Sequence, residues 1–436
     1  MKLSLAMIAK NEAGILGHCL GSVQSLVDEI ILVDTGSSDA TSDIGRQFGA
    51  RVEHFPWIDD FAAARNESLK YCTGDWVLIL DADEAIDVLD HSLIRRACED
   101  EGVYAYRLTL RNYFSSGRHS TLDTPVRLNE SPYSEGREFS HYADFKGLRL
   151  CRRIPGLCFE GRIHELLDPC FDNRFLSITD LNAVIHHFGK LMKDKEIQKG
   201  RYYLDLALQD ARKDPANPQF HFNVVQQGLT IQDWPTVLDA ANTYMRLRSK
   251  VPPIIIFGAG VALQHLDRNE EALAHFDRLL QVFPFHASAL TQRGISLAVL
   301  GRWEEARTSF RKAIQAQPGF IMPFLNLAEM EIALGRFPEA RAVVEEGLGI
   351  CPDDPMLLRD LVRLDLANQE PDRAVADAHI AIQRCPEGGD GMWHRLVALA
   401  LQKKGDTEGA LAILRQGREA FPGDPEIARL LALILG

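Results

Sequence analysis

An α/β domain followed by an all-α repeat array is the architecture this sequence predicts, and two patterns predict it. From the N-terminus through Glu84, short apolar runs that end in acids alternate with helix-period segments. In the second half, Pro284, Pro318, Pro352 and Pro386 stand 34 residues apart, and Ala272, Ala306, Ala340 and Ala374 keep the same interval. Two residue types sharing one period are hard to obtain by chance.

In the first half, residues 2–9 (KLSLAMIA) read as a buried strand, and 14–26 as a helix with Leu16, Cys19, Leu20 and Val23 on one face. Glu29 to Asp34 is a strand ending in an acid, after which Ser38 or Asp39 can cap a helix running toward Phe48. A short strand over 51–55 follows, then a helix over 60–71 carrying Arg65 and Asn66. The apolar strand over 76–80 runs into Asp81-Ala82-Asp83-Glu84. This alternation implies a mainly parallel sheet. Such sheets bind ligands beyond the carboxyl ends of their strands, which is where Asp34 and Asp81 to Glu84 fall.

In the second half, 285–318 and 319–352 read alike: an apolar-periodic helix, a turn such as Leu300-Gly301-Arg302, and a second helix ending before proline. Gly335 repeats Gly301. The alanine must be small because the two helices cross there, and the proline separates units because it cannot continue a helix. A unit over 387–422 is two residues longer, with Ala410 and Pro422 in the matching places, and a partial unit reaches Gly436. Upstream, 252–284 fits well and 217–251, with Trp234 in its turn, fits loosely. The expected boundaries are a first domain over 1–190, a helical linker over 191–216 and repeats over 217–436. The period resembles that of the tetratricopeptide repeat family, whose units stack into a superhelix with a concave groove. That resemblance implies either a groove for a peptide or protein, or a stacking scaffold or dimerisation arm, since a period specifies a fold and not a ligand.

Composition narrows the function classes. With 46% hydrophobic residues the chain can bury a sizeable core, and its net charge of −13 argues against a general nucleic-acid binder or electrostatic docking on anionic lipid. The eight cysteines form no CxxC pair and read as buried free thiols in a reducing cytoplasm. The N-terminal apolar run meets Lys10, Asn11 and Glu12 too early for a signal-peptide core. No stretch approaches the ~18 apolar residues of a membrane span, so a cytoplasmic location is expected.

No glycine fingerprint follows the first strand, and no GxxxxGK[ST] occurs. Phosphates would therefore not be held by a glycine-rich loop. Asp81-Ala82-Asp83 offers another solution: two carboxylates one residue apart at a strand end suit a hard divalent cation, Mn²⁺ or Mg²⁺, bridging to a pyrophosphate. Its task would be to stabilise a departing nucleoside diphosphate. By itself this pair is a weak signal, because acids at strand ends are common.

The ordered set Ala9-Lys10-Asn11-Glu12, Val33-Asp34-Thr35-Gly36-Ser37-Ser38-Asp39-Ala40-Thr41, Phe61-Ala62-Ala63-Ala64-Arg65-Asn66 and Trp76 to Glu84 resembles family 2 glycosyltransferases of the GT-A fold. Within them it is most similar to the branch that includes the bacteriocin S-glycosyltransferases and many repeat-bearing relatives. The resemblance spans residues 1–190 and implies a Rossmann-like mixed sheet and inverting transfer from a nucleotide-sugar, a UDP-sugar, to an acceptor. It implies that Asp34 lies near the base or ribose, with Ala9, Asn11, Glu12, Gly36 and Ser37 in the same pocket. Asp83 would bind metal, and Asp81 would contact ribose or donor sugar. Arg65 would bind the pyrophosphate side or orient the acids, its alternative being a structural salt bridge to a strand-end acid.

Leu148 to Arg153 with Gly161-Arg162-Ile163-His164-Glu165, and Ile185-His186-His187-Phe188-Gly189, match two later elements of the same branch. His187 is thus a candidate metal ligand or diphosphate contact, with His186 the runner-up because the register of two adjacent histidines is open. Arg149 and Arg152 read as anion contacts to diphosphate or as a solvated basic patch. For the base that takes the acceptor proton, Glu165 is favoured, with His164 orienting it or the acceptor, and Glu84 competes. The repeats would present a peptide or protein acceptor. A glycan or small-molecule acceptor, with the repeats holding a partner, and a non-catalytic scaffold with a relict transferase half remain alternatives.

Overall fold

The computed structural model describes residues 1–114, 127–129, 133–139, 141–188, 193–385 and 391–435. The sequence readings at Gly189, Pro386 and Gly436 lie outside the described residues. The chain divides into two compact units, one ending at Leu266 and one beginning at Asp267.

The first unit is built on one mixed sheet. Its described strands are β1 (Leu3–Ala9), β2 (Glu29–Asp34), β3 (Arg51–His54), β4 (Trp76–Ile79), β5 (Glu84–Ile86), β6 (Ala105–Phe114), β7 (Arg127–Leu128), β8 (His141–Arg152) and β9 (Ile178–His187). They run in the order β3-β2-β1-β4-β8-β6-β9-β5, with β7 paired to β8. The block β3-β2-β1-β4 is parallel, as the strand–helix alternation requires. Beyond β4 the sheet turns mixed: β8 runs antiparallel to both β4 and β6, β9 is parallel to β6, and β5 is antiparallel to β9.

The strands are apolar because both sheet faces are covered. Leu5, Met7, Leu32, Trp76 and Leu78 pack on one side with Leu16, Leu20 and Val23 of α1 (Leu16–Val23). Val77 and Ile79 point to the other side, against Cys151, Phe159 and Phe171. Helices α2 (Thr41–Gln47), α3 (Phe61–Tyr71) and α4 (Val88–Ala97) complete the crossovers, and a short α5 (Asp168–Asp172) precedes β9. Asp60 and Asp87 start α3 and α4 by accepting from the backbone N–H groups of Ala63 and Leu89.

Two registers position the ligand side of the sheet. Ala9 lies opposite Asp34, so β1 and β2 end level with each other. Glu84 lies opposite His187, and Phe188 N–H donates to the Asp83 carbonyl at 3.1 Å, so the acidic turn after β4 is stitched to the end of β9. At the other end of the sheet, Glu29 accepts from Lys2, Ser4, Thr73 and the Gly74 N–H. Gly74 is required there, because a Cβ would lie 2.6 Å from Ser4 Oγ and 2.9 Å from the Lys2 carbonyl.

In helix α6 (Lys193–Lys213), Leu204, Leu206, Ala207 and Ala211 are buried with Ile163 and with residues of α7 (Pro218–Ile231), α8 (Trp234–Leu247) and α9 (Pro253–His265). Apolar burial joins these four helices to the sheet domain, a long-range effect that the 34-residue period does not report.

The second unit comprises α10 (Asn269–Val282), α11 (Ala287–Val299), α12 (Trp303–Ala316), α13 (Met322–Ala333), α14 (Phe337–Ile350), α15 (Pro355–Ala367), α16 (Pro371–Arg384), α17 (Met392–Lys404), α18 (Thr407–Ala420) and α19 (Pro425–Leu435). Ala272, Ala306, Ala340, Ala374 and Ala410 are all fully buried where consecutive helices meet. Asp267, Gly301, Gly335 and Gln369, 34 residues apart, all take left-handed φ between 59° and 74° in the inter-helix turn. The turn geometry therefore recurs even where glycine does not.

All eight cysteines are free, five of them buried. Among the described residues no helix is long and apolar enough to cross a membrane.

The Glu29 knot gives the first unit an acid-dependent stability. Burial opposes the carboxylate, but the bonds from Lys2, Ser4 and Thr73 outweigh it and hold Glu29 at about 2, against an ordinary 4.5. A group depressed on folding stabilises above its unfolded pKa and loses that contribution as pH falls through its folded one. The urea midpoint of the first unit should fall between about pH 4.5 and pH 2, and Glu29→Gln should flatten that fall. An unchanged slope in the variant would remove Glu29 from the account.

Candidate active site

The parallel strands and the acidic turn after β4 open onto a cavity of about 550 Å³. One wall is made by strand ends: Ala9, Lys10 and Glu12 after β1, Thr35 after β2, Asp81 and Asp83 after β4, and His187 at the end of β9. The facing wall carries Trp57 and Phe61 at the start of α3, the turn Ile163-His164-Glu165, Tyr202 and Tyr203 of α6, and Gln227 of α7.

Arg65 joins the two walls. It lies on the buried face of α3, its Nη2 donates to Asp81 at 2.6 Å, and its Nε donates to Glu165 at 2.5 Å. Burial works against its charge, but the two carboxylates overcome this and hold the guanidinium protonated. Burial likewise opposes ionisation of Asp81, yet Arg65 and Arg149 hold it well below the usual carboxylate range. Asp81 is thus a fixed anion whose position is set by two guanidinium groups.

Asp83 and His187 form the second acidic pair. His187 Nε2 lies 3.2 Å from Asp83 Oδ2, and its Nδ1 bonds Asn112 Oδ1 of β6. With the Asn112 oxygen on Nδ1, the other ring nitrogen is aimed at the carboxylate. Burial lowers the tendency of His187 to protonate, but the Asp83 hydrogen bond and charge win and raise it. A carboxylate oxygen and an imidazole nitrogen converging on one cavity can hold a divalent cation that takes its remaining ligands from phosphate and water. No group of three or more His, Cys, Asp or Glu side chains suited to a metal occurs among the described residues.

Strand alternation resolves the histidine register. His186 points to the other face, 3% exposed, with Nδ1 at 2.7 Å from the Tyr113 hydroxyl and its ring stacked on Tyr133 at 3.7 Å. Burial and then the Arg111 charge push it down to about 4, so it is a neutral core residue.

Several residues expected at a donor site are placed elsewhere. Arg152 does not line the cavity: its guanidinium donates to the carbonyls of Val103 and Asp100 and lies 4.8 Å over the Trp76 ring, because antiparallel β8 carries it to Trp76 at the start of β4, the end of the sheet away from the acids. Glu84, the competing candidate for the base, does not line the cavity: it is 2% exposed and is held by the Asp81 N–H and by Arg149 at 2.8 Å. Burial, opposed by Arg149 and helped by Asp81, raises its pKa, but no acceptor can reach it. Arg149 sits behind Asp81 and balances acids, and it does not line the cavity.

Asp34, Asn11, Gly36 and Ser37 do not line the cavity and are bonded to one another beside it. The Asp34 carboxylate accepts from the Gly36 and Ser37 N–H groups and from Ser42, and Asn11 Oδ1 accepts from the Ser38 N–H. They shape the loop that carries Thr35 and Glu12. Ala9, Glu12, Arg65, Asp81, Asp83, His164, Glu165 and His187 line one cavity.

The sequence did not single out Asn112, Trp57, Tyr202, Tyr203 and Gln227. None of these stands in a spaced motif, and only the paired tyrosines Tyr202-Tyr203 beside a helical pattern offered a signal.

Comparison with known proteins places these features in context. The profile of glycosyl transferase family 2 matches residues 4–149, and tetratricopeptide repeat profiles match 257–319, 322–346 and 359–425. A glycosyltransferase of Rickettsia bellii is 36% identical over 220 residues, covering 50% of this chain and 70% of its own. The SPbeta prophage-derived glycosyltransferase SunS of Bacillus subtilis is 28% identical over 224 residues, 50% of this chain and 47% of its own. A TPR repeat-containing protein of Synechococcus elongatus is 35% identical over 167 residues, 38% of this chain and 36% of its own. The match thus spans less than half the length of the last two relatives.

Removing the Arg65 bridge should be costly. Arg65→Ala leaves two carboxylates facing each other without their shared cation, a loss of about 3 kcal/mol, at the lower end for buried pairs because the Asp81 side chain is 36% exposed. Adding Asp81→Asn should recover part of the loss in urea unfolding. Strictly additive effects would show that the three groups are not coupled.

Proposed function

The chain belongs to glycosyl transferase family 2, and from that premise we propose that its first unit is an inverting glycosyltransferase that moves a sugar from a UDP-sugar to a peptide or protein acceptor in the cytoplasm, with the repeats presenting that acceptor. The observation that carries this reading is the single cavity in which Asp83 and His187 stand on one wall, and Glu165, tied through Arg65 to Asp81, on the other. Donor chemistry and acceptor chemistry then have separate sides.

In this reading the nucleotide end of the donor lies along the strand-end wall, near Ala9, Glu12 and Thr35, on a loop shaped by Asp34, Asn11, Gly36 and Ser37. Asp83 and His187 would hold a Mn²⁺ or Mg²⁺ ion, which supplies charge neutralisation for the departing diphosphate. Asp81, fixed by Arg65 and Arg149, faces the donor sugar and positions its hydroxyl groups. Glu165 takes the proton of the acceptor nucleophile as that atom attacks the anomeric carbon from the side opposite the diphosphate. The bond to the diphosphate oxygen breaks, the oxygen keeps the electron pair, and the sugar configuration inverts.

The Arg65 bridge orients Glu165 and keeps it from collapsing onto the donor acids. Burial, opposed by Glu165, lowers the pKa of His164, so its imidazole meets the acceptor uncharged.

A panel of nucleotide sugars should contain one whose diphosphate is released by the protein in Mn²⁺, with water standing in for the acceptor. Asp83→Ala should lower that release about 100-fold or more, equivalent to ~2.7 kcal/mol of barrier, without changing the melting temperature by more than a few degrees. Unchanged turnover in Mn²⁺ would remove Asp83 from the reaction.

A further inference from the structure

We infer that the wall facing the strand ends is an acceptor subsite for an apolar or aromatic peptide side chain next to the nucleophile, and that Gln227 is a positioning residue for His164 within it. The inference rests on the transferase reading of the same cavity and names the chemistry of its second substrate.

The family 2 match ends at residue 149 and the repeat matches begin at 257. The intervening segment supplies His164, Glu165, Tyr202, Tyr203 and Gln227 to the cavity. Trp57 and Phe61 lie within the family 2 match, and His164 and Glu165 stand in a later element of the same branch; the contributions of Tyr202, Tyr203 and Gln227 fall outside both, and it is there that acceptor choice, the property that differs between transferases of one fold, would be written.

The Trp57 indole N–H donates to the Tyr202 hydroxyl at 2.8 Å, and that hydroxyl donates to Asp59. Phe61 packs edge-on against Trp57 at 4.7 Å and against Tyr203 at 5.5 Å, and Tyr202 lies 5.7 Å from Tyr203. The polar tips of Trp57 and Tyr202 are thus spent on each other and on Asp59, and the four rings brace one another. Burial first, then the charges of Glu165 and Asp81, push the Tyr203 hydroxyl up to about 12 and keep it neutral.

The remaining polar groups are committed as well, Glu165 to Arg65 and His164 to Gln227. A saccharide acceptor would need several donors and acceptors to replace the water on its hydroxyls, whereas an apolar side chain needs only ring surface. The wall favours the side chain.

The φ of His164, 53°, lies in the left-handed region, which a side-chain-bearing residue rarely adopts and which tends to mark functional positions. The turn that carries it is closed by paired backbone bonds between Glu160 and Leu166, each 2.9 Å. Its ring is held at 2.6 Å by the side chain of Gln227, a 7%-exposed residue of α7. A buried amide reaching out of a helix to one ring nitrogen fixes which face of the imidazole meets the cavity beside Glu165.

The test uses the full-length protein, the nucleotide sugar found by diphosphate release, and synthetic peptides scored for the added sugar by mass. In each peptide a Ser, Thr or Cys is flanked either by Phe, Tyr or Leu, or by Ala alone, and methyl glycosides serve as saccharide probes. The apolar-flanked peptides should be labelled at least 10-fold faster than the alanine-flanked ones.

Tyr203→Ala should lower the ratio of transfer to diphosphate release about 10-fold and level the flank preference. Tyr202→Phe, which keeps the ring, should retain that preference. Gln227→Leu should lower kcat for transfer about 10-fold with KM within twofold, and Gln227→Glu should recover part of it, a split that a purely structural role would not produce.

Labelling indifferent to the flank, faster labelling of the glycosides, or diphosphate release with no labelled peptide overturns the inference and leaves the transferase reading standing. No diphosphate release from any nucleotide sugar overturns both.

Discussion

A guanidinium enclosed between two carboxylates is the interaction on which the rest of the site depends. Removing an ion from water costs several kcal/mol, so Arg65 can be buried only because Asp81 and Glu165 are placed to receive it. Those placements come from different parts of the chain. Asp81 is delivered by the end of β4, and Glu165 by a turn after β8 that Ile163 anchors among α6 to α9. The same ion therefore enforces agreement between the sheet and the helices packed beside it. Arg149 plays the corresponding role behind the acids, balancing Asp81 and Glu84, so that a cavity rich in carboxylates stays compact before any substrate arrives.

Much of the fold could be read directly, because its determinants are local. Apolar runs such as Trp76 to Leu80 sit between crossover helices, and the proline and alanine intervals mark helix pairs. The acids at the ends of β2 and β4 could likewise be located, since a strand ends where its apolar run ends. Facing was harder to read. Arg149 and Arg152 belong to one basic stretch, yet only one of them turns toward the acids, and that depends on the antiparallel pairing of β8 with β4. The choice between His186 and His187 depends in the same way on β5, a three-residue strand inside what looked like one acidic motif.

The aromatic wall escaped detection for a different reason. Trp57, Tyr202 and Gln227 are far apart in sequence and meet only through tertiary packing, with no spacing rule to connect them. The packing of helix α6 was hidden for the same reason: its sequence opens with a charged run, and its attachment to the sheet domain is carried by Tyr202 and Tyr203 and by residues from Leu204 onward. In the repeats, glycine at 301 and 335 disclosed the left-handed turn, while Asp267 and Gln369 adopt it without that signal, because the helix crossing at the buried alanines imposes it.

The pairing of Glu84 with His187 has an evolutionary corollary. At the end of β9 His187 faces the cavity and His186 the aromatic rings, so a one-residue slip of that end would present His186 to the acids and press His187 among the rings. Such a chain would keep its composition and most of its buried surface. Indels should therefore be purged from this stretch far more stringently than substitutions, and related chains should vary there in identity but hardly in length.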